Sequence, residues 1–134
     1  MSGRRRSETP PGITPPPAEY EFVDDAAGIA EVATTLAGAT GPLAVDVERA
    51  SGIRYSERAF LLQLRPAAGP ALLVDPETPG QTVGPLAGVL SDRPLLLHAA
   101  SQDIPSLREL GIVPSALVDT ELAGRFLGLE RVNL

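Results

Sequence analysis

The segment Ala44-Val45-Asp46-Val47-Glu48 puts two carboxylates at positions i and i+2 near the end of an apolar run. Side chains alternate along a strand, so residues two apart share a side and Asp46 and Glu48 can converge on one cation. Acids placed in this way repel unless a proton or a cation stands between them, and an oxygen-only site suits hard divalent ions such as Mg²⁺ or Mn²⁺. Spacing alone leaves a plainer reading open, that of two acids solvated on a polar strand face. The second candidate is Leu97-His98-Ala99-Ala100-Ser101-Gln102-Asp103, where an apolar strand runs into a helix whose first turn carries Asp103. Such junctions are frequent places for functional groups. Ser101 as an N-cap, Asp103 as a complement to the helix dipole and His98 as a hydrogen-bonded structural residue would explain the same segment without chemistry. Gln63, between Leu62 and Leu64, is either a partner for backbone or substrate or an outward-facing polar residue. Asp119-Thr120 reads as a helix cap and Glu121 as first-turn charge. Arg49, Arg54, Arg58 and Arg65 surround these strands, either as phosphate contacts or as solvated surface.

These side chains need a scaffold, and the hydrophobic pattern outlines one. Glu19-Tyr20-Glu21-Phe22-Val23 alternates like a short edge strand, and Asp24 or Asp25 then caps an alanine-rich helix running to about Leu36, with Gly38 as its stop. Apolar runs at Pro42 to Val47, Ala59 to Leu64 and Ala71 to Val74, broken by Ser51-Gly52 and Ala68-Gly69-Pro70, suit an antiparallel meander. A short helix over Gly84 to Leu90, a buried strand over Pro94 to His98 and a helix from Ser101 to Leu110 closed by Gly111 follow. Leu117-Val118 then leads into a helix from Asp119 to Leu127. Meander strands followed by alternating strands and helices predict an α/β domain with a mixed sheet covered by helices.

Composition narrows the chemistry further. A chain of 134 residues with 43% apolar content fills one core of ordinary size. Residues 1 to about 19 hold Pro10, Pro11, Pro15, Pro16, Pro17 and the Arg4 to Arg6 run with almost no large apolar side chains, so a disordered leader is expected there, with the folded part over residues 20 to 134. Neither a signal peptide's apolar centre nor a run near the roughly 20 residues of a membrane span is present, and a cytoplasmic protein with no membrane partner is expected. The chain has no cysteine, so any metal falls to carboxylates or to His98. A net charge of -6 argues against coating nucleic acid by bulk electrostatics. It does not exclude a nuclease, because divalent ions invert the local sign of an acidic site.

At these residues the sequence resembles ribonuclease D and the wider family of 3′-5′ exonucleases, which carry four acidic residues in three motifs. Asp46-Val47-Glu48 is similar to the first motif, with Val47 where threonine is frequent. Phe60-Leu61-Leu62-Gln63-Leu64 and Leu73-Val74-Asp75-Pro76 resemble the next two strands. His98 to Asp103 is similar to the second motif, with Asp103 as its acid, and Asp119 to Gly128 resembles the segment after it. The resemblance covers about residues 20 to 134 and implies a ribonuclease H-like fold that hydrolyses a phosphodiester at an RNA 3′ end with two divalent cations, Mg²⁺ or Mn²⁺. In that reading Asp46 approaches both ions, Glu48 binds the nucleophile-side ion and contacts the terminal nucleotide, and Asp103 holds the other ion directly or through water. Gln63, His98 and Gln102 are the implied substrate contacts.

The third motif, a tyrosine or histidine followed four residues later by the last aspartate, has no counterpart before Leu134, nor has the family's helicase-and-ribonuclease C-terminal module. The chain is therefore expected to be the N-terminal part of an exonuclease domain, incomplete at its C-terminus and weakly active or inactive alone. Two other expectations stand beside it. One is a non-catalytic nucleic-acid or protein binding module on the same scaffold; the other is a truncated product whose cut sheet exposes apolar surface.

Overall fold

The computed structural model describes residues 19–49, 58–77 and 83–132. The expected leader with its arginine run, and Arg54, lie outside the described residues. The chain begins with β1 (Tyr20–Val23) and α1 (Ala26–Gly38), then the meander β2 (Leu43–Arg49), β3 (Ala59–Arg65) and β4 (Ala71–Val74). It continues through α2 (Gly84–Ser91), β5 (Pro94–Leu97), a 3-10 turn (Ala100–Gln102) and α3 (Ile104–Glu109), and ends with β6 (Ala116–Asp119) and α4 (Thr120–Phe126). The strands form one six-stranded sheet in the order β1-β4-β3-β2-β5-β6. β3 runs antiparallel to β2 and β4, while β1, β5 and β6 pair in parallel with their neighbours. The mixed sheet, the meander and the edge position of β1 are those the sequence predicts.

Alternation decides which side of the sheet is core. Leu43, Val45 and Val47 of β2 are buried, together with Leu62 and Leu64 of β3, Leu72 and Val74 of β4, and Leu95 and Leu97 of β5. α1 contributes Ile29, Val32, Ala33 and Leu36 to this cluster, and α2 contributes Leu86, Ala87 and Leu90. The other set of side chains on the same strands has little cover. Ala44, Leu61, Gln63, Leu73 and Leu96 are half-buried, and Phe22, Asp46, Glu48 and Val118 are exposed. One face of the sheet is thus packed, and the opposite face carries the acids of β2 among apolar side chains.

Local chemistry fixes the element ends. Asp25 caps α1, its Oδ1 accepting from the Gly28 N–H at 2.6 Å, which chooses between the two candidate caps. α1 closes at Gly38 without a left-handed residue; Ala39 is extended, and Arg93 takes up the loose carbonyls. Its Nη1 donates to Leu36 O at 2.7 Å, and its Nη2 to Ala39 O at 3.1 Å and Gly41 O at 2.7 Å. A cation at a helix C-terminus is favoured by the dipole as well as by these bonds, and here it ties the end of α1 to the start of β5.

The helix expected from Ser101 to Leu110 is corrected by the structure. It is split into the 3-10 turn and α3, because Pro105 has no N–H to give and fits only the first turn of a helix that starts at Ile104. Ser101 is therefore not its cap; Asp103 holds that position, without a capping bond from its side chain. Gly111 does close the element, at φ 77, where only glycine sits without a Cβ penalty. β5 ends at Leu97, which leaves His98 in the turn.

Leu36 of α1 is fully buried in the core cluster shared with α2 and the sheet. Leu36→Ala is expected to destabilise the fold by about 2–5 kcal/mol in a urea titration, the usual cost of a buried leucine. A loss under about 1 kcal/mol would show that α1 does not close this core.

Candidate active site

Asp46 and Glu48 lie on the face of β2 opposite Val45 and Val47, so burial of the valines presents the acids. The antiparallel register sets Gln63 of β3 directly beside Asp46. Gln63 Nε2 donates to Asp46 Oδ2 at 2.8 Å and to Glu48 Oε1 at 3.2 Å. The two carboxylates therefore converge on one point, held by the partial positive charge of an amide. The β2–β3 register shifts between Glu48 and Arg49, a bulge of the kind that re-aims side chains beside a site.

The third acid arrives from another element. Asp103, at the junction of the 3-10 turn and α3, is 6% exposed, and its N–H is tied back to Ala100 O at 3.1 Å. Burial, then the charge of Asp46, raise its carboxyl pKa to about 6; Arg49 opposes the rise and Glu48 adds to it. An open cleft of about 370 Å³, in the size range of small-ligand sites, is lined by Asp46, Val47, Glu48, Arg49, His98, Ala99, Gln102, Asp103 and Glu121.

The wall opposite β2 is built by the ends of two parallel strands. β5 and β6 pair with Leu97 opposite Asp119, so the turn after β5 and the start of α4 lie side by side. Thr120 Oγ1 donates to Leu97 O at 3.3 Å, which leaves its oxygen as acceptor for His98 Nδ1 at 2.9 Å. In the neutral ring this fixes the proton on Nδ1 and leaves Nε2 as the acceptor. Asp119 Oδ1 accepts from the N–H groups of Glu121 at 2.9 Å and Leu122 at 3.3 Å, capping α4 as the sequence predicts. Burial raises the Asp119 carboxyl, but backbone N–H groups of Ala100, Leu122, Glu121 and Ala99 outweigh it and hold the pKa below the ordinary carboxylate value.

Of the six residues singled out in the sequence, Asp46, Glu48, Asp103, His98 and Gln102 line one cleft, and Gln63 bonds to two of its acids. Glu121, read there as first-turn charge, also lines the cleft, with Arg125 Nε on its Oε1 at 3.1 Å. Its position after a strand-end cap was the available signal. Arg49 joins the lining too, whereas Arg58 pairs with Glu77 and Arg65 is exposed. Among the described residues, no three acids or histidines are close enough together to enclose an ion as they are placed. The converging pair Asp46–Glu48 is the part that fits a hard cation, with Asp103 close enough to sense both charges.

The family profile described as 3′-5′ exonuclease matches residues 20–134. The chain belongs to the 3′-5′ exonuclease family. A protein from Bifidobacterium adolescentis is similar at 32% identity and a TM-score of 0.77, over 87% of this chain and 31% of that one. Escherichia coli RNase D, an exoribonuclease involved in structured RNA processing, is similar at 26% identity and a TM-score of 0.68, over 82% of this chain and 29% of that one. Trypanosoma brucei RNase D in complex with RNA U12 is similar at 27% identity and a TM-score of 0.68, over 78% and 38%. No curated protein sequence matches. The chain thus spans about a third of the length of these three proteins, and the sheet is that of a ribonuclease H-like exonuclease domain. Among the described residues, no helix of the exonuclease domain is long and apolar enough to cross a membrane.

The raised pKa of Asp103 has a consequence for folding. Its folded-state pKa of about 6 lies above the unfolded value of 3.8, so the stability it contributes is fully present below pH 3.8 and is lost as pH rises through 6. In metal-free buffer, Asp103→Asn is expected to flatten the fall in unfolding free energy between pH 4 and pH 7, gaining roughly 2 kcal/mol at neutral pH. Urea titrations of both proteins across that range measure it; parallel curves would mean that Asp103 is not held against the other acids.

Proposed function

We propose that this chain carries the metal-binding part of a 3′-5′ exoribonuclease domain that trims RNA 3′ ends by phosphodiester hydrolysis. The observation that carries the reading is the convergence of Asp46 and Glu48 on a single point beside the buried Asp103. The donors are all oxygen, which suits Mg²⁺ or Mn²⁺, and an amide nitrogen marks where positive charge is welcome. Membership of the exonuclease family supports the reaction class. Similarity to an exoribonuclease and to an RNA complex supports RNA over other phosphodiesters.

In this reading Asp46, Glu48 and Asp103 hold two divalent ions, which when bound supply the Lewis acidity that phosphodiester hydrolysis needs. Gln63 keeps the two carboxylates of β2 together, and it must yield its place as they turn to a cation. His98 presents Nε2 as a hydrogen-bond acceptor, suited to a ribose hydroxyl or a water, because Thr120 holds the proton on the other nitrogen. Gln102, exposed at the rim, offers both donor and acceptor to a nucleotide. Arg49 sets one positive charge beside the acids, where phosphate would lie.

No tyrosine or histidine follows Asp103 in the 134 residues, so metal binding and turnover are tested separately. By calorimetry the chain is expected to bind Mn²⁺, with Asp46→Asn and Glu48→Gln each weakening binding at least tenfold, while it releases mononucleotides from a single-stranded RNA slowly or not at all. Mn²⁺ binding indifferent to both substitutions would overturn the metal site and favour a non-catalytic module. Rapid Mn²⁺-dependent release of mononucleotides, abolished by Asp46→Asn, would show that three acids suffice.

A further inference from the structure

Ala99 is the one non-glycine with a positive φ among the described residues, at φ 52 and ψ 51. A left-handed alanine brings its Cβ too close to the following carbonyl oxygen, and such a residue persists only where its surroundings over-determine it. The bend sits between His98 and the 3-10 turn that delivers Gln102 and Asp103, so the strain lies in the connection that places the third acid. Within that turn, Gln102 N–H donates to Ala99 O at 2.9 Å and Asp103 N–H to Ala100 O at 3.1 Å.

The bend is held from the neighbouring strand. Asp119 Oδ1 accepts from the Ala99 N–H at 3.2 Å, and Asp119 Oδ2 from the Ala100 N–H at 2.9 Å. One carboxylate thus spans both sides of the strained peptide, while the same Oδ1 also caps α4. Capping alone needs only one oxygen and would be served by serine or asparagine. The reach from β6 across to Ala100 needs a second oxygen at aspartate's length. Thr120, the next residue, fixes His98 on the other side of the bend, so the β6–α4 junction grips the β5 turn at two points.

We propose that Asp119 is a positioning residue of the acidic cleft: by clamping the N–H groups of Ala99 and Ala100 it holds the left-handed bend and so seats Gln102 and Asp103 opposite Asp46 and Glu48. The proposal rests on the metal-binding reading of that cleft, and its role there is indirect, since Asp119 is not among the residues lining it.

The test uses four forms of the full 134-residue chain: unaltered, Asp119→Ser, Ala99→Gly and the double variant. Serine keeps the helix cap but cannot reach Ala100, and glycine removes the cost of the bend. Mn²⁺ affinity is expected to fall about tenfold in Asp119→Ser, the usual scale for a residue that orients metal ligands, to stay near the unaltered value in Ala99→Gly, and to recover several-fold in the double variant. Amide hydrogen exchange at Gln102 and Asp103, whose acceptors lie within the turn, is expected to quicken at least tenfold in Asp119→Ser and to slow again in the double variant, whether or not metal is added. If Asp119→Ser does not fold, Asp119→Asn, which keeps one acceptor oxygen, carries the same expectations. Unchanged affinity and exchange in the folded variant, or a double variant no better than Asp119→Ser, would overturn the proposal. Failure of the unaltered chain to bind Mn²⁺ would overturn the metal-binding reading instead, and exchange at the turn would then decide the role of Asp119 by itself.

Discussion

The carboxylates of Asp46, Glu48 and Asp103 repel one another across one cleft, and the fold has to hold them there against that repulsion. At a surface dielectric two unit charges about 4 Å apart oppose each other by roughly 4 kcal/mol, a large fraction of the net stability of a small domain. The cost is met in different ways by the different acids. Asp46 and Glu48 are carried by β2, whose alternate residues are locked into the core, and Gln63 lies against both with an amide nitrogen. Asp103 is seated by its backbone, its N–H bonded to Ala100 O, with the charge of Arg49 in its favour. Burial first, and the field of Asp46 and Glu48 after it, raise its pKa to about 6.

The architecture serves this arrangement. The helices α1 and α2 bury one face of the sheet, which frees the other face of β2 for chemistry. The cleft forms where the ends of β2 and β5 meet the start of α4, so its residues come from three stretches of sequence. Each stretch is anchored through apolar side chains away from the cleft, and the acids add little to the packing. Removing a carboxylate should therefore relieve repulsion and leave the core packing in place, which makes the cleft separable from its scaffold by mutation.

Much of this was legible in the sequence because it is local. A period of two along Leu43 to Glu48 is enough to place the valines inside and the acids outside, and Asp25 and Asp119 cap their helices as their positions before apolar segments predict. The break at Asp103 was also written there, in Pro105, which bars a helix from starting as early as Ser101. Long-range contacts left no such trace. Nothing near Arg93 in the chain shows that it will gather the carbonyls at the end of α1, and nothing about Ala99 marks it for the left-handed region that glycine or asparagine usually takes. The second oxygen of Asp119 finds work only because β5 and β6 come to lie in register, a fact of the sheet and not of the segment.

The uncovered face of the sheet and the outer side of α4 set the behaviour of the chain in bulk solution. Phe126 is 90% exposed and Leu127 80%, with Leu122, Leu129, Val118 and Phe22 also open to water. Against this apolar surface stands the net charge of -6. In dilute buffer, charge repulsion acts over tens of ångströms and keeps molecules apart; at about 0.1 M salt it reaches only about 10 Å, and contacts between apolar surfaces decide the outcome. Ionic strength thus joins concentration as a control on colloidal stability, and the low-salt conditions that keep molecules apart are also those in which the negative charges of the cleft are least screened.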